Sequence, residues 1–216
     1  MQKVALIVAG GKGNRMNTKA PKQFLLLNNL PILMHTLNTF SHLDKLILVL
    51  PKSQIENWEE LCKEYDFTLK HIVVTGGITR FGSVKNGLAK VDEGSIVAIH
   101  DGVRPLVSKN LIDKLIGVTK KGNGIIPVVP VKDSIRKIEG QKSQVVSRSN
   151  LYKVQTPQCF FASTIKDAYK QNFSLFFTDD ASVLESNGGK IITILGEEKN
   201  LKITTEEDLR VAELLY

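Results

Sequence analysis

A glycine-rich segment with cations nearby is the first feature of this sequence that predicts chemistry. Gly10-Gly-Lys-Gly-Asn-Arg15 follows directly after an apolar run that ends at Ala9. Glycines after a buried strand let the backbone turn sharply and approach a ligand, so that successive N–H groups can point at phosphate oxygens. Arg15 and Lys22 add positive charge beside this turn. The pattern indicates a loop that binds the phosphates of a nucleotide.

Two common nucleotide-binding loops do not match this segment. A Walker A loop ends in Gly-Lys followed by Ser or Thr, an ending that this sequence does not have here. The dinucleotide fingerprint requires Gly-x-Gly-x-x-Gly, but Gly11-Lys-Gly13 is followed by Asn-Arg-Met16. The next apolar run also ends at Leu50-Pro51, without the acidic residue that would bind a ribose. The loop therefore belongs to neither of these two classes.

Five further segments follow the loop in order: Gly76–Val84, His100–Pro105, Thr156–Gln158, Phe177–Ser182 with Glu185, and Leu201–Thr204. Together with Ala9–Met16 and Pro21–Phe24, they resemble the motifs of sugar-phosphate and polyol-phosphate cytidylyltransferases over essentially the whole chain. Within that family, Thr178-Asp-Asp-Ala-Ser182 favours the branch that acts on 2-C-methyl-D-erythritol 4-phosphate. The branch that acts on ribitol 5-phosphate shares the early motifs and stays an alternative.

The resemblance implies an enzyme that transfers CMP from CTP to a phosphorylated polyol and releases pyrophosphate. With methylerythritol phosphate the product would be 4-diphosphocytidyl-2-C-methyl-D-erythritol, a precursor of isoprenoids in the non-mevalonate pathway. The acceptor phosphate is already anionic, so it can attack the α-phosphorus without a general base. The protein must position two polyanions and neutralise the charge that develops on the leaving group, which calls for Lys, Arg, backbone N–H groups and Mg²⁺.

Carried over residue by residue, the resemblance implies three overlapping sets of site residues. The expected catalytic cations are Arg15, Lys22, Arg148 and Lys202. The expected nucleotide-binding residues are Ala9, Gly10, Gly11, Gly13, Arg15, Lys22, Gly77, Arg80, Ser83, Asp101 and Gly102. The expected residues for the polyol phosphate are Asp101, Arg104, Ser134, Arg148, Thr156, Thr178 and Lys202. Asp101 is also the expected ligand of Mg²⁺.

Two motif positions depart from the family pattern, and three acidic or histidine residues in the motifs are not assigned to catalysis or to a metal. Ile78 stands where members of the family often have a polar or acidic residue, and Gly102 stands where they often have alanine. We expect His100 to pack or to orient its neighbours rather than to act as a base. Asp179 and Asp180 open a helix, where acidic side chains interact favourably with the helix N-terminus, so we do not assign them to a metal.

Short apolar runs that alternate with amphipathic stretches predict the elements that hold these residues. The runs that read as buried strands are Val4–Val8, Lys45–Leu50, His71–Thr75, Ser95–His100, Gly124–Val129 and Lys190–Leu195. Helices are expected after the capping boxes Ser53–Glu56 and Thr204–Glu207 and after Ser108. We predict an α/β fold, a Rossmann-like three-layer sandwich with a mostly parallel sheet, whose ligands bind beyond the carboxyl ends of the strands.

One polar stretch interrupts this alternation. Ile135–Ile138 and Gln144–Ser147 predict a β-hairpin that turns at Gly140-Gln141. We expect a single domain of residues 1–216, in which residues 131–154 form a protruding β-arm. The resemblance implies that this arm packs on a second copy of the chain and carries Arg148 into the active site of the other subunit. A solvated surface hairpin is the alternative.

Composition narrows the classes of partner. The net charge is +7, but the lysines are spread along the chain and aromatic residues make up 6%. This balance suits anionic small molecules, and no basic block, zinc-finger spacing or RNA-binding aromatic signature points to nucleic acid. A non-catalytic protein that binds nucleotides or nucleic acid is the remaining alternative. Val4–Ala9 is too short for a signal segment or a membrane span, and the two cysteines lie far apart, so we expect a cytoplasmic protein.

Overall fold

The computed structural model describes residues 1–10 and 21–216. Its strands are β1 Lys3–Val8, β2 Leu26–Leu27, β3 Leu30–Pro31, β4 Lys45–Leu50, β5 Ile72–Thr75, β6 Ile96–Asp101, β7 Asn123–Pro130, β8 Ile135–Glu139, β9 Lys142–Val146, β10 Tyr152–Val154, β11 Gln158–Phe161 and β12 Lys190–Leu195. Its helices are α1 Ile32–Thr39, α2 Ile55–Glu64, α3 Arg80–Leu88, α4 Lys109–Val118, α5 Ala162–Ala168, α6 Asp180–Ser186 and α7 Glu206–Leu215. Short 3₁₀ helices span Lys22–Phe24 and Lys52–Gln54.

The central sheet is mostly parallel, as predicted. Its strand order is β10-β7-β11-β6-β1-β4-β5, and β12 also pairs with β7. β1 runs parallel to β4 and β6, β4 parallel to β5, and β12 parallel to β7. β11 lies antiparallel between β6 and β7, and β10 lies antiparallel beside β7. The carboxyl ends of the parallel strands therefore meet at one edge of the sheet, where α/β proteins bind their ligands.

Helices cover both faces of this sheet, which confirms the predicted three-layer sandwich. Successive side chains of β1 point to opposite faces, so Ala5 and Ile7 join one core while Val4 and Leu6 join another. Residues of α1, α2 and α4 pack in the first core, and residues of α3, α5 and α6 pack in the second. Each fully buried Leu or Ile side chain stabilises the fold by about 1.5–3 kcal/mol.

Two strands are less buried than predicted, and two strands of the main sheet were missed, as were the short strands β2 and β3 outside it. β5 and β12 lie at edges of the described sheet, so many of their side chains are half-buried or exposed rather than buried. β10 and β11 were not predicted. β11 is buried between β6 and β7. It was not recognised because it has only four residues and begins with a glutamine, so its apolar run is short.

The helix starts differ from the predicted caps at two places. Ser108 caps α4 as predicted, because its hydroxyl accepts an N–H of the first turn. Ser53 does not cap α2, because it lies within the 3₁₀ helix that precedes this helix. The C-terminal capping box is formed by Thr205 and Asp208, one residue later than predicted. The Asp208 carboxylate also accepts the hydroxyl of Thr204, which fixes this register.

The predicted hairpin is present as a two-stranded ladder of β8 and β9, separate from the main sheet. Gly140 turns it with φ +59°, a left-handed conformation that glycine adopts without steric cost. Residues 131–150 are exposed or half-buried throughout. The last residues of the predicted arm, Tyr152–Val154, form β10 and pair with β7, so they belong to the main sheet.

The helices of the described chain have ten residues at most. That is about half of the apolar length that a bilayer requires, and none of them qualifies as a membrane span.

Candidate active site

Predicted site residues from distant parts of the sequence meet at the carboxyl edge of the sheet. Ala9 and Gly10 follow β1, Gly77 follows β5, Asp101 is the last residue of β6, and Lys202 lies in the segment between β12 and α7. They converge because parallel strands place their carboxyl ends side by side. The alternation of strands and helices is therefore what assembles the site.

At this edge of the sheet, the described residues form two adjoining clefts. The first cleft has a volume of about 490 Å³ and the second about 240 Å³. Of the predicted nucleotide-binding residues, those lining the first cleft are Ala9, Gly10, Lys22, Gly77, Arg80 and Asp101. Of the predicted polyol-phosphate residues, those lining the second cleft are Asp101, Arg104, Thr156, Thr178 and Lys202. Arg80, Asp101 and Lys202 line both clefts.

The carboxylate of Asp101 lies among three cations. Its Oδ2 is 3.1 Å from Nζ of Lys202 and 3.2 Å from Nε of Arg104, and its Oδ1 is 3.9 Å from Nε of Arg80. Burial alone would raise the pKa of Asp101, but Lys202, Arg80 and Arg104 outweigh it and lower this pKa well below its ordinary value. Asp101 is therefore ionised at physiological pH.

A directional chain of hydrogen bonds fixes the backbone on both sides of Asp101. The Asp101 N–H donates to Oγ1 of Thr156 at 3.1 Å, and the Thr156 hydroxyl lies 3.0 Å from Nδ1 of His100. Nε2 of His100 lies 3.0 Å from the Arg104 carbonyl, which can only accept, so we assign the ring proton to Nε2. The hydroxyl then donates to Nδ1.

His100 is fully buried, and burial is the main cause that lowers its pKa to about 4. The ring is therefore neutral near pH 7. It packs and orients its neighbours, as expected from the sequence. The Thr156 hydroxyl is engaged within this chain, and its contact with a polyol phosphate stays a prediction.

Arg104 and the segment before Lys202 are held by two amides that the sequence analysis did not single out. The carbonyl of Asn200 accepts from Nη1 of Arg104 at 2.8 Å and from Nε2 of Gln155 at 3.1 Å. The Asn200 side chain donates in turn to the carbonyl of Thr156 at 2.8 Å. Both amides directly precede a recognised motif, and this adjacency is the signal by which they could have been found.

Arg80 makes its strongest contacts with Asp180 rather than with Asp101. Its terminal nitrogens lie 2.9 Å and 2.6 Å from the two oxygens of the buried Asp180 carboxylate. Burial opposes the charge of Arg80, but this carboxylate outweighs it and raises the pKa of the guanidinium. Asp179 caps α6 as the sequence predicts. For Asp180 that interpretation was incomplete, because its carboxylate contacts Arg80 and the hydroxyl of Tyr169.

The turn between β5 and α3 shapes one wall of the first cleft. The Gly77 N–H donates to Oγ of Ser83 at 3.1 Å, and the Ser83 hydroxyl donates to the Thr79 carbonyl at 3.0 Å. A Cβ at Gly77 would lie 2.8 Å from the carbonyl carbon of Gly82, so only glycine fits this close approach. Ser83 is buried and supports the turn, and its direct contact with the nucleotide stays a prediction.

Several predicted residues are not among those that line the two clefts. Ser134 and Arg148 are exposed on the arm, and the Arg148 guanidinium donates to the carbonyl of Lys132. Gly102 is buried beneath the site, where an added Cβ would lie 2.9 Å from the Cβ of Ala9. The predictions on Gly11, Gly13 and Arg15 lie outside the described residues.

The donor set at Asp101 fits a magnesium ion that is bound largely by phosphates. Within the described chain, no group of three acidic, His or Cys side chains could bind a metal by protein ligands alone. Mg²⁺ bound to nucleotides commonly uses one or two carboxylates together with phosphate oxygens and water. Oδ2 of Asp101 contacts Lys202 and Arg104, whereas Oδ1 has the more distant Arg80, so Oδ1 is the atom that suits the metal.

A third cleft, of about 500 Å³, lies elsewhere on the molecule. Gly122 and Gly189, which line it, come just before β7 and β12, so this cleft lies at the amino ends of these strands. Its lining includes no predicted site residue among those described. The cationic edge that holds Asp101 is therefore the better candidate for the active site.

A Rossmann-like sheet whose carboxyl edge presents two adjoining cationic clefts has the architecture that a nucleotidyltransferase requires. The family model of 2-C-methyl-D-erythritol 4-phosphate cytidylyltransferase matches residues 3–216. The chain belongs to this family, which confirms the resemblance inferred from the motifs.

Individual relatives agree over the full length. The chain is 48% identical to the 2-C-methyl-D-erythritol 4-phosphate cytidylyltransferase of Bacteroides fragilis, over 100% of both chains. It is 47% identical to the protein of that name from Porphyromonas gingivalis, over 99% of this chain and 97% of the relative. The crystal structure of the protein of that name from Thermus thermophilus matches with a TM-score of 0.82 at 29% identity, over 100% and 98% of the two chains. These comparisons also confirm the predicted fold.

Proposed function

We propose that this chain transfers CMP from CTP to 2-C-methyl-D-erythritol 4-phosphate, giving 4-diphosphocytidyl-2-C-methyl-D-erythritol and pyrophosphate in isoprenoid biosynthesis. The observation that carries the proposal is the pair of clefts that share Arg80, Asp101 and Lys202. Two adjoining cationic clefts suit a reaction that brings two phosphorylated molecules together. Membership of the family supports CTP and the methylerythritol phosphate as those molecules.

In the proposed reaction, CTP occupies the first cleft and the polyol phosphate occupies the second. An oxygen of the acceptor phosphate attacks the α-phosphorus of CTP, the bond between the α-phosphorus and the bridging oxygen breaks, and pyrophosphate leaves. The acceptor oxygen carries its charge already, so no proton has to be removed. The chain contributes positioning and electrostatic stabilisation, which are the main sources of catalysis in phosphoryl transfer.

The cations have different tasks in this scheme. Lys22 lines the first cleft, and together with Arg15 it neutralises charge that develops towards the pyrophosphate. Lys202 borders both clefts and is suited to hold the acceptor phosphate beside the α-phosphate. Arg104 is fixed by Asp101 and by the Asn200 carbonyl, so it offers a preorganised charge to the acceptor.

Mg²⁺ is proposed as the cofactor, with Asp101 as its protein ligand through Oδ1. When bound, the ion would supply positive charge to the triphosphate. Asp101 suits this role because neighbouring cations keep it ionised.

A homodimer formed through the hairpin of β8 and β9, within the predicted arm of residues 131–154, is proposed as the active form in the cytoplasm. Val145 and Ile138 on the hairpin are 76% and 71% exposed, and a two-stranded hairpin is marginally stable by itself in water. A second copy of the chain would cover these side chains. It would also bring Arg148 and Ser134 to the site of the other subunit.

An assay of pyrophosphate release tests the proposed reaction. The protein is incubated with CTP and Mg²⁺ and with either 2-C-methyl-D-erythritol 4-phosphate or ribitol 5-phosphate. We expect release with the first acceptor. Turnover with ribitol phosphate alone would assign the chain to the other branch of cytidylyltransferases. CTP binding without turnover of either acceptor would favour a non-catalytic nucleotide-binding protein.

A further inference from the structure

Two carboxylates compete for the guanidinium of Arg80. Asp180 binds both terminal nitrogens in a bidentate pair at 2.9 Å and 2.6 Å, whereas Asp101 stands 3.9 Å from Nε. Parallel N–H···O bonds of this kind fix the plane of the guanidinium as well as its position. The guanidinium of Arg80 is therefore held against Asp180, and the residue still lines the border of the two clefts.

The anchor itself is rigid. The Asp180 side chain has no exposed surface, and its Oδ1 also accepts the hydroxyl of Tyr169 at 2.6 Å. The Tyr169 ring stacks on Phe81 with 4.6 Å between the ring centroids. Oε1 of Gln158 accepts the N–H of Ala181 at 2.9 Å, which ties the start of α6 to β11.

We propose that Asp180 is a positioning residue of this enzyme, which holds the Arg80 guanidinium between the two clefts and away from Asp101. This inference rests on the proposed function. Asp180 touches neither substrate in this scheme and acts through Arg80. The Asp180 carboxylate accepts one N–H from each terminal nitrogen of Arg80. The remaining N–H groups of the guanidinium are then available to phosphate or ribose oxygens in the first cleft.

The consequence of losing this carboxylate follows from the charges that remain. Without Asp180, the nearest anion to Arg80 is Asp101, and the attraction between them would close the 3.9 Å gap. Arg80 would then leave its place in the first cleft. Its guanidinium would also neutralise Oδ1 of Asp101, the carboxylate oxygen that Lys202 and Arg104 do not contact. Arg80 borders both clefts, but it is predicted to bind the nucleotide and not the acceptor, so binding of CTP should suffer first.

The test is a double-mutant cycle of Asp180→Asn and Arg80→Ala, with Glu185→Gln as the control. Glu185 is exposed on the same helix, so its substitution removes one negative charge without touching Arg80. Affinity for CTP is measured by calorimetry without an acceptor, and kcat and KM are measured with both substrates. Thermal unfolding checks that each variant is folded.

We expect Asp180→Asn to weaken CTP binding and to lower kcat/KM for CTP by about 10- to 100-fold, as small misplacements of a positioned group do. In the Arg80→Ala background the same substitution should cause no further loss. Glu185→Gln should behave as the unchanged protein does. Wild-type kinetics for Asp180→Asn, or losses that add up in the double variant, would overturn the proposal.

A milder substitution keeps the test open if Asp180→Asn does not fold. Tyr169→Phe removes one hydrogen bond from Asp180 and keeps both the ring stack and the ion pair. It should weaken CTP binding in the same direction by a smaller factor, and no change would contradict the proposal. Failure of the proposed function is distinguishable, because it would appear as no turnover by the unchanged protein while CTP binding still responds to Asp180.

Discussion

Nζ of Lys202 lies 3.1 Å from Oδ2 of Asp101 and joins the segment after β12 to the carboxyl end of β6. The two residues are about a hundred positions apart in the sequence, and both border the two clefts. Their contact places a partly exposed ammonium beside a buried carboxylate. A phosphate that binds at the border of the clefts would therefore contact the ammonium of Lys202 while Asp101 keeps that ammonium in place.

Lys202→Ala tests this position directly. We expect KM for the polyol phosphate to rise and kcat/KM to fall by about 100-fold, because a preorganised charge next to the reacting phosphates is removed. The measurement is steady-state kinetics with the acceptor varied at saturating CTP. Lys199→Ala is the matched control, since Lys199 is exposed in the same segment. An unchanged KM for the acceptor in Lys202→Ala would remove this residue from the acceptor site.

The buried His100 predicts how stability depends on pH. Its pKa in the folded protein is about 4, below the ordinary 6.5, so between these values the unfolded chain binds a proton that the folded chain does not. Stability is therefore lost as the pH falls through this window, by about 3 kcal/mol in all. Urea unfolding at pH 7 and at pH 4 should show this loss. His100→Gln cannot take up the proton, and the same pH dependence in that variant would contradict the assignment.

Gly77→Ala probes the close approach that shapes the first cleft. The new Cβ would lie 2.8 Å from the backbone of Gly82, so the turn must shift, and we expect a lower Tm and a raised KM for CTP. Gly117→Ala is the matched control, because Gly117 is in α4 with no atom within 4 Å of its added Cβ. There alanine should be neutral or stabilising by about 0.5–1 kcal/mol. Equal effects of both substitutions would contradict this role of Gly77.

Mixing two inactive variants tests whether the arm completes a neighbouring site. If Arg148 acts in the other subunit, a heterodimer of Arg148→Ala and Lys202→Ala contains one site with both residues intact. Unfolding and refolding an equal mixture should then restore about a quarter of the wild-type activity, by random pairing in a symmetric dimer. Sedimentation measures the oligomeric state in parallel. A monomeric protein, or a mixture without activity, would leave the hairpin as a solvated surface element.

The sequence predicts the frame of the site better than its internal contacts. The apolar run Val4–Val8 is buried throughout as part of β1, as predicted. The turn predicted after it stays a prediction, because all but its first glycine lie outside the described residues. Asp101 and Lys202 were each identified from local motifs. Their contact could not be predicted, because it depends on how two distant segments pack.

Asp180 and Thr156 show what local patterns leave out. An acid beside Asp179 at the start of a helix has an ordinary local explanation, so nothing in the sequence connects Asp180 with Arg80, which is a hundred residues away. The hydroxyl of Thr156 was expected to face a substrate, yet it links Asp101 to His100 inside the fold. Direction and partner of a polar side chain are decided by tertiary packing, and the residue type alone does not determine them.

In the proposed reaction, the sites for CTP and for the acceptor share Arg80, Asp101 and Lys202, so binding at one would be thermodynamically coupled to binding at the other. A polyanion in one cleft changes the potential that a polyanion in the other experiences, and the factor by which CTP changes acceptor affinity must equal the factor by which the acceptor changes CTP affinity. An inhibitor that reaches all three side chains from either side would therefore compete with both ligands at once.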